Sequence, residues 1–131
     1  MNLEFRHIFD QLLEEVLATL PDEIVDILED VPLYVEDYPS EGIMRQMRIR
    51  DRTSLCGLYT GIPLINRTAE VQPVLSDAIH LFREGIAAHT VAIAGRLKKE
   101  ELKRQIRITL LHELGHHHGF DEDELEEMGY G

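Results

Sequence analysis

Between Lys98 and His118 the chain reads as one long helix, and this is the feature that most limits what it can fold into. The first half, KKEELKRQ, is a charged solvent face, and the second half turns apolar at Ile106, Ile108, Leu110, Leu111 and Leu114. Such a helix buries one side and presents the other. It ends in HELGHHHGF, His112–Phe120, where four histidines, one glutamate and two glycines fall within nine residues.

His112 and His116 are four residues apart, so on a helix both imidazoles lie on one face, one turn apart. Both can then reach one ion at about 2.0–2.1 Å, the usual Zn–N distance. Glu113 projects to the flank of that face, within reach of a water beside the ion but without ligating it. This is the His-Glu-x-x-His arrangement. Neutral imidazoles leave the ion a strong Lewis acid, able to bring the pKa of a water down towards about 7. The glutamate can then take that water's proton and pass it to a leaving amine.

The bare pattern is short, and a chain this rich in His and Glu can produce it by chance; Gly119, three residues after His116, makes coincidence much rarer. Glycine there can take a positive φ, end the helix and swing the chain back. The spacing then favours Glu122 as third ligand, although Asp121 and Asp123 flank it and a small shift in the turn would substitute either. His117 and His118 point about 100° and 200° away from His116, towards the surface or a place behind the ligands. His80 reads as a core or strand histidine, and His7 and His89 as exposed. Without a metal, the whole segment would be a His-rich helix end followed by a solvated acidic run.

The rest of the chain reads as scaffold. Phe5, Ile8, Phe9, Leu12, Leu13, Val16, Leu17 and Leu20 recur at helical spacing, and Pro21 ends that helix. Asp22 then caps a short second helix through about Glu29. Val31–Val35 reads as a strand with Pro32 at its edge or start. Tyr38–Thr53 is less regular and holds Arg45, Arg48, Arg50 and Arg52, as a solvated loop, an edge strand or a substrate-contacting loop. Leu55–Ile65 reads as a strand with a bulge or turn near Gly61, Val71–Asp77 as a connection, and Ala78–Phe82 as a central strand. Asp121–Met128 reads as a final acidic helix. The order is helices, strands, then a long helix, which is an α+β single domain over residues 1–131.

Charge narrows the partners. With 25 Asp and Glu against 13 Lys and Arg, the net charge of −12 argues against nucleic acid and against anionic membranes. One cysteine, Cys56, forms no internal disulfide. No signal peptide or membrane-spanning stretch is visible, so a reducing cytoplasm is the expected home.

Several segments together resemble the minimal zincin-like metallopeptidase family of short bacterial proteins. They are the leading helix to Leu20-Pro21, VPLYVEDYP (Val31–Pro39), LCGLYTGIPL (Leu55–Leu64), AIHLF (Ala78–Phe82) and, most specific, HELGHHHGFDEDEL (His112–Leu125). The resemblance implies a small mixed β-sheet packed on an active-site helix, with a short C-terminal helix. It implies one Zn²⁺ per chain at His112 and His116, Glu113 as general base, an acidic third ligand at Glu122, and a peptide or protein substrate. Related larger zincins have histidine at the third position and a methionine turn beneath the metal; Met128 lies in the acidic segment and is not expected to serve as one. With nine residues after Glu122, the resemblance implies a shallow, half-open cleft and peptidase activity that is weak or absent. If it extends to the sheet, Gly57–Gly61 is an edge strand beside the metal, able to pair with an extended peptide.

Two other functions compete with a peptidase. One is a non-catalytic metal-binding or protein-interaction module on the same scaffold. The other is a zinc endoribonuclease with a three-histidine helix motif, against which stand Glu113, the acidic third position and the net charge.

Overall fold

The structure is a computed structural model and describes residues 1–61, 77–119 and positions 121, 123 and 127. It has the α+β architecture read from the sequence. Helices α1 (Leu3–Ala18), α2 (Asp22–Asp30), α3 (Glu41–Gln46), α4 (Arg83–Ala94) and α5 (Lys99–His118) surround strands β1 (Leu33–Glu36), β2 (Gly57–Thr60) and β3 (Ala78–Phe82). The sheet order is β1-β3-β2, with β1 parallel and β2 antiparallel to β3. The AIHLF strand is therefore central, as its apolar run predicts, and the sheet is mixed.

Local chemistry sets the element ends. Asn2 caps α1 by accepting the Phe5 N–H at 2.7 Å. The expected strand Val31–Val35 begins two residues later, at Leu33. Pro32 stays outside it, where a missing N–H costs no ladder bond, and its carbonyl accepts the Ile79 N–H at 2.9 Å. The stretch expected as loop or edge strand contains α3, started by Ser40, whose hydroxyl accepts the Ile43 N–H at 3.2 Å. The largest departure is α4, which the sequence reading passed over. Its buried positions are Gly85, Ile86 and Thr90, so its inward face carries little apolar periodicity. The proposed connection Val71–Asp77 and acidic helix Asp121–Met128 fall, apart from Asp77, Asp121, Asp123 and Glu127, outside the described residues. Among the described residues no helix is long and apolar enough to cross a membrane.

Register puts Leu33 and Val35 of β1, Ile79 and Leu81 of β3, and Gly57 and Tyr59 of β2 on one face of the sheet. That face joins Phe9, Leu12, Leu13 and Val16 of α1 and Leu102, Ile106, Leu110 and Leu114 of α5 in a single core. Gly57 is where β2 meets α5 most closely. A Cβ there would lie 2.9 Å from Thr109 Cγ2, 3.0 Å from the His80 carbonyl and 3.2 Å from Glu113 Cγ. A glycine permits that approach and a larger residue does not.

The other side of the molecule is tied by charge. Arg6 binds Asp37 through Nε (2.9 Å to Oδ2) and Nη2 (2.6 Å). Arg83, the first residue of α4, donates to Asp37 at 2.9 Å and to both oxygens of Asp10 on α1. Hydrogen bonds from Arg6 hold the Asp37 carboxyl below the usual carboxylate range; burial opposes this, and Arg83 adds to it.

Two outcomes follow from this packing. A carboxylate with a depressed folded pKa contributes stability above its unfolded value, and that stability is lost as pH falls through the folded value. Asp37→Asn should thus cost about 2 kcal/mol near neutral pH, and the gap from wild type should close as pH drops below about 4. Urea titrations at neutral and acidic pH read this directly; a pH-independent gap would assign the effect to packing instead of charge. Gly57→Ala should cost about 1–3 kcal/mol by overpacking β2 against α5, and a thermal melt matching wild type would contradict the close approach.

Candidate metal centre

Helix α5 turns two faces in two directions. Leu102, Ile106, Leu110 and Leu114 are buried in the core. About 100° per residue around the axis, the stripe Gln105, Ile108, Thr109, His112 and His116 faces a groove instead. The groove has a volume of about 680 Å³, within the usual range for small-molecule and peptide sites. Leu55–Tyr59 and Gly61 border it on the sheet side, with Met47 and His89 farther along.

His112 and His116 converge in the groove's wall. Their Nε2 atoms stand 3.1 Å apart, with ring planes at 85° and centroids 4.7 Å apart. Glu113 Oε2 is 4.0 Å from His112 Nε2, and ligand atoms of all three residues lie within 4.8 Å of one another. Two nitrogens bound at about 2.0–2.1 Å to one tetrahedral ion stand roughly 3.3 Å apart, so the observed pair already has the separation that one ion requires. Two imidazoles beside a carboxylate are a donor set that suits zinc and other divalent transition metals. Glu113 is 7% exposed, against β2 at Gly57. Gly119 ends α5 with φ 101°, its N–H bonded to the Gly115 and His116 carbonyls at 3.1 and 2.9 Å. This is the left-handed cap expected of it.

The other predicted positions divide. Glu122 and Met128 lie outside the described residues; Asp121 is exposed and lines the groove, and Asp123 is exposed. His117 is 5% exposed, behind the ligand pair and not on the surface, with Nδ1 3.2 Å from the Tyr59 hydroxyl. Tyr59 in turn donates to Asp77 Oδ1 at 3.0 Å, so β2, the start of β3 and the last turn of α5 are joined by one polar chain. His80 is a strand histidine whose Nδ1 lies 2.9 Å from Glu36 Oε1. His7 and His89 are exposed as expected, but His89 also lines the groove.

The arginines of the 45–52 stretch do not line the groove. Arg45, Arg48 and Arg50 are exposed, and Arg52 pairs with Glu84 at 2.9 Å and lies over the Tyr38 ring. Met47, from the same stretch, does line it. Gly57–Gly61 borders the groove, and β2 is at the edge of the sheet among the described residues, not in its interior. Cys56 is also in the wall. Burial, with the negative charge of Glu113 adding to it, pushes its thiol up to about 11. It is thus neutral near pH 7 and donates towards the Gly85 carbonyl at 3.5 Å.

The sequence does not single out Tyr59 and Gln105 as groove residues, and it marks His89 only as exposed. For Gln105 a signal was present, since it lies seven residues before His112 and shares its helical stripe. For Tyr59 and His89 there was none, because only the folded chain brings them to α5. Comparison with curated proteins gives no match. The family model described as zincin-like metallopeptidase matches residues 28–131, which takes in β1, the groove and the His112–Glu113–His116 cluster, and the chain belongs to that family.

Proposed function

We propose that the protein is a zinc-dependent peptidase, with His112 and His116 holding the metal, Glu122 completing the ligand set and Glu113 as general base. The observation that carries this reading is the convergence of His112, Glu113 and His116 in the wall of one groove. Bound there, zinc supplies a Lewis acid that polarises a carbonyl and makes water more acidic.

The chain's own groups do the rest. His112 and His116 present Nε2 from one face of a helix whose opposite face is locked in the core, so their spacing is set before any ligand arrives. Glu113 takes the proton from the attacking water and hands it to the departing amine. Its carboxylate sits in a mostly dry place, which strengthens its interaction with a nearby cation. The neutral thiol of Cys56 leaves that role to the carboxylate. A peptide laid along the groove meets β2, a strand at the sheet edge among the described residues, whose backbone suits an extended chain.

Elemental analysis of tag-free protein, purified without chelator, tests the first half. It should find about one zinc per chain, and His112→Ala should lose it. No zinc after incubation at neutral pH would leave HELGHHHGF as a His-rich helix end. A peptide-library digest tests the second half: Glu113→Gln should keep the zinc and lose at least about a hundredfold in turnover. Full activity in that variant would remove Glu113 as base. Bound zinc without hydrolysis by wild type would make the protein a metal-binding module.

A further inference from the structure

The groove continues well past the metal centre. Along α5 it runs from His112 back to Gln105, seven residues or about 10 Å of helix axis. That is about three residues of extended chain. Around Gln105 the wall is Met47, Ser54, Leu55 and Ile108, with His89 on the α4 side. Gln105 lies among them, 6% exposed, lining the groove. Its backbone carbonyl accepts the Thr109 hydroxyl at 2.8 Å, but its side-chain amide makes no hydrogen bond among the described residues. Neither the oxygen nor the nitrogen of that amide is fully enclosed, so the Gln105 amide keeps its opening to the groove.

The opening leaves the amide to groove water alone in the free protein; a ligand that displaces that water must replace its hydrogen bonds, and one without matching groups binds worse. One C=O and one NH₂ side by side complement the C=O and N–H of a peptide group. Among the described residues the collar around it carries no charged side chain, and it is apolar apart from Ser54, whose hydroxyl donates to the Asp51 carbonyl at 2.7 Å, and His89 at the rim. It accepts an aliphatic side chain and penalises a carboxylate, which would be desolvated without a cationic partner in the collar.

From this we infer that the Gln105 end of the groove is a substrate subsite. It takes an aliphatic side chain about three residues from the bond cut at the metal centre, while the Gln105 amide pairs with the peptide backbone there. The inference rests on the peptidase reading for its register but reaches beyond it, to the class of peptide recognised.

The test uses the zinc-loaded, full-length Glu113→Gln protein and capped alanine–serine octapeptides. A single leucine is stepped through one series and a single aspartate through another, and affinities are read by NMR titration. Leucine at one position should bind about tenfold tighter than alanine there, the effect of burying about two methylene groups, and aspartate at that position should be the weakest. Gln105→Met, close in shape but lacking the amide, should weaken every peptide roughly three- to tenfold while leaving zinc affinity and thermal midpoint unchanged. Met47 is 44% exposed, so Met47→Lys should fold as wild type does and turn aspartate into a favoured residue at the same position.

A flat leucine series, unaltered binding in Gln105→Met, or no binding of any peptide would overturn the subsite. The outcome for the peptidase reading is separate. Position-dependent binding with no cleavage by wild type keeps the subsite and ends the peptidase proposal; cleavage indifferent to Gln105 does the reverse.

Discussion

The packing of one apolar stripe of α5 against α1 and the sheet fixes the rotation of that helix, and the rest of the site depends on that rotation. Leu102, Ile106, Leu110 and Leu114 recur every four residues and are all but inaccessible to solvent. Rotating the helix by a single residue position, about 100°, would bring His112 towards the core and expose a leucine. Burying each leucine contributes about 1.5–3 kcal/mol, so the alternative is strongly disfavoured. The direction in which His112 and His116 point is thus a consequence of hydrophobic burial on the opposite side. No interaction between the histidines themselves is needed to aim them.

The same rotation explains two of the polar residues that α5 buries. Glu113 lies at the border between the stripe and the groove, so it is nearly buried yet next to His112. His117, three residues after Leu114 and seven after Leu110, continues the apolar stripe itself. A buried imidazole needs a partner, and the Tyr59 hydroxyl meets it from β2. Tyr59 is on the helix-facing side of β2 because Gly57, two residues earlier, is on that side too. The strand contributes a missing side chain at one position and a hydroxyl at the next inward one, and together they seat the sheet edge on the end of the helix that carries the cluster.

How much of this was legible in the sequence depends on whether the information was local. The His112–Glu113–His116 spacing and the Gly119 cap are properties of one helix, and the structure has both. Helix α1 and strand β3 announce themselves by apolar pattern, and both are observed. The direction of His117 follows from the stripe of leucines before it, whereas the ligand pair alone leaves the surface and a place behind the ligands both open. Gln105 was equally accessible, one stripe along from His112. What no local pattern holds is which strand side chain meets which helix side chain, so Tyr59 and His89 emerge only with the fold. Glu122, chosen on spacing, lies outside the described residues, and its role belongs to the proposal.

Helix α4 shows the same point from the opposite direction. It forms one wall of the groove through His89, yet its inward face is glycine, isoleucine and threonine, with little hydrophobic signature. Its first turn is located instead by charged groups. Arg83 reaches Asp10 and Asp37, the Glu84 N–H donates to the Asp37 carbonyl at 2.9 Å, and the Glu84 carboxylate meets Arg52. Arg83 is mostly shielded, and guanidinium–carboxylate pairs in such places are directional where apolar contact is not. Burial therefore sets the rotation of the helix that bears the metal ligands, while oriented charge pairs fix the start of the helix that walls the groove. The first of these leaves a periodic mark in a sequence. The second leaves only arginines and aspartates spaced dozens of residues apart, which is why α4 is invisible until the chain is folded.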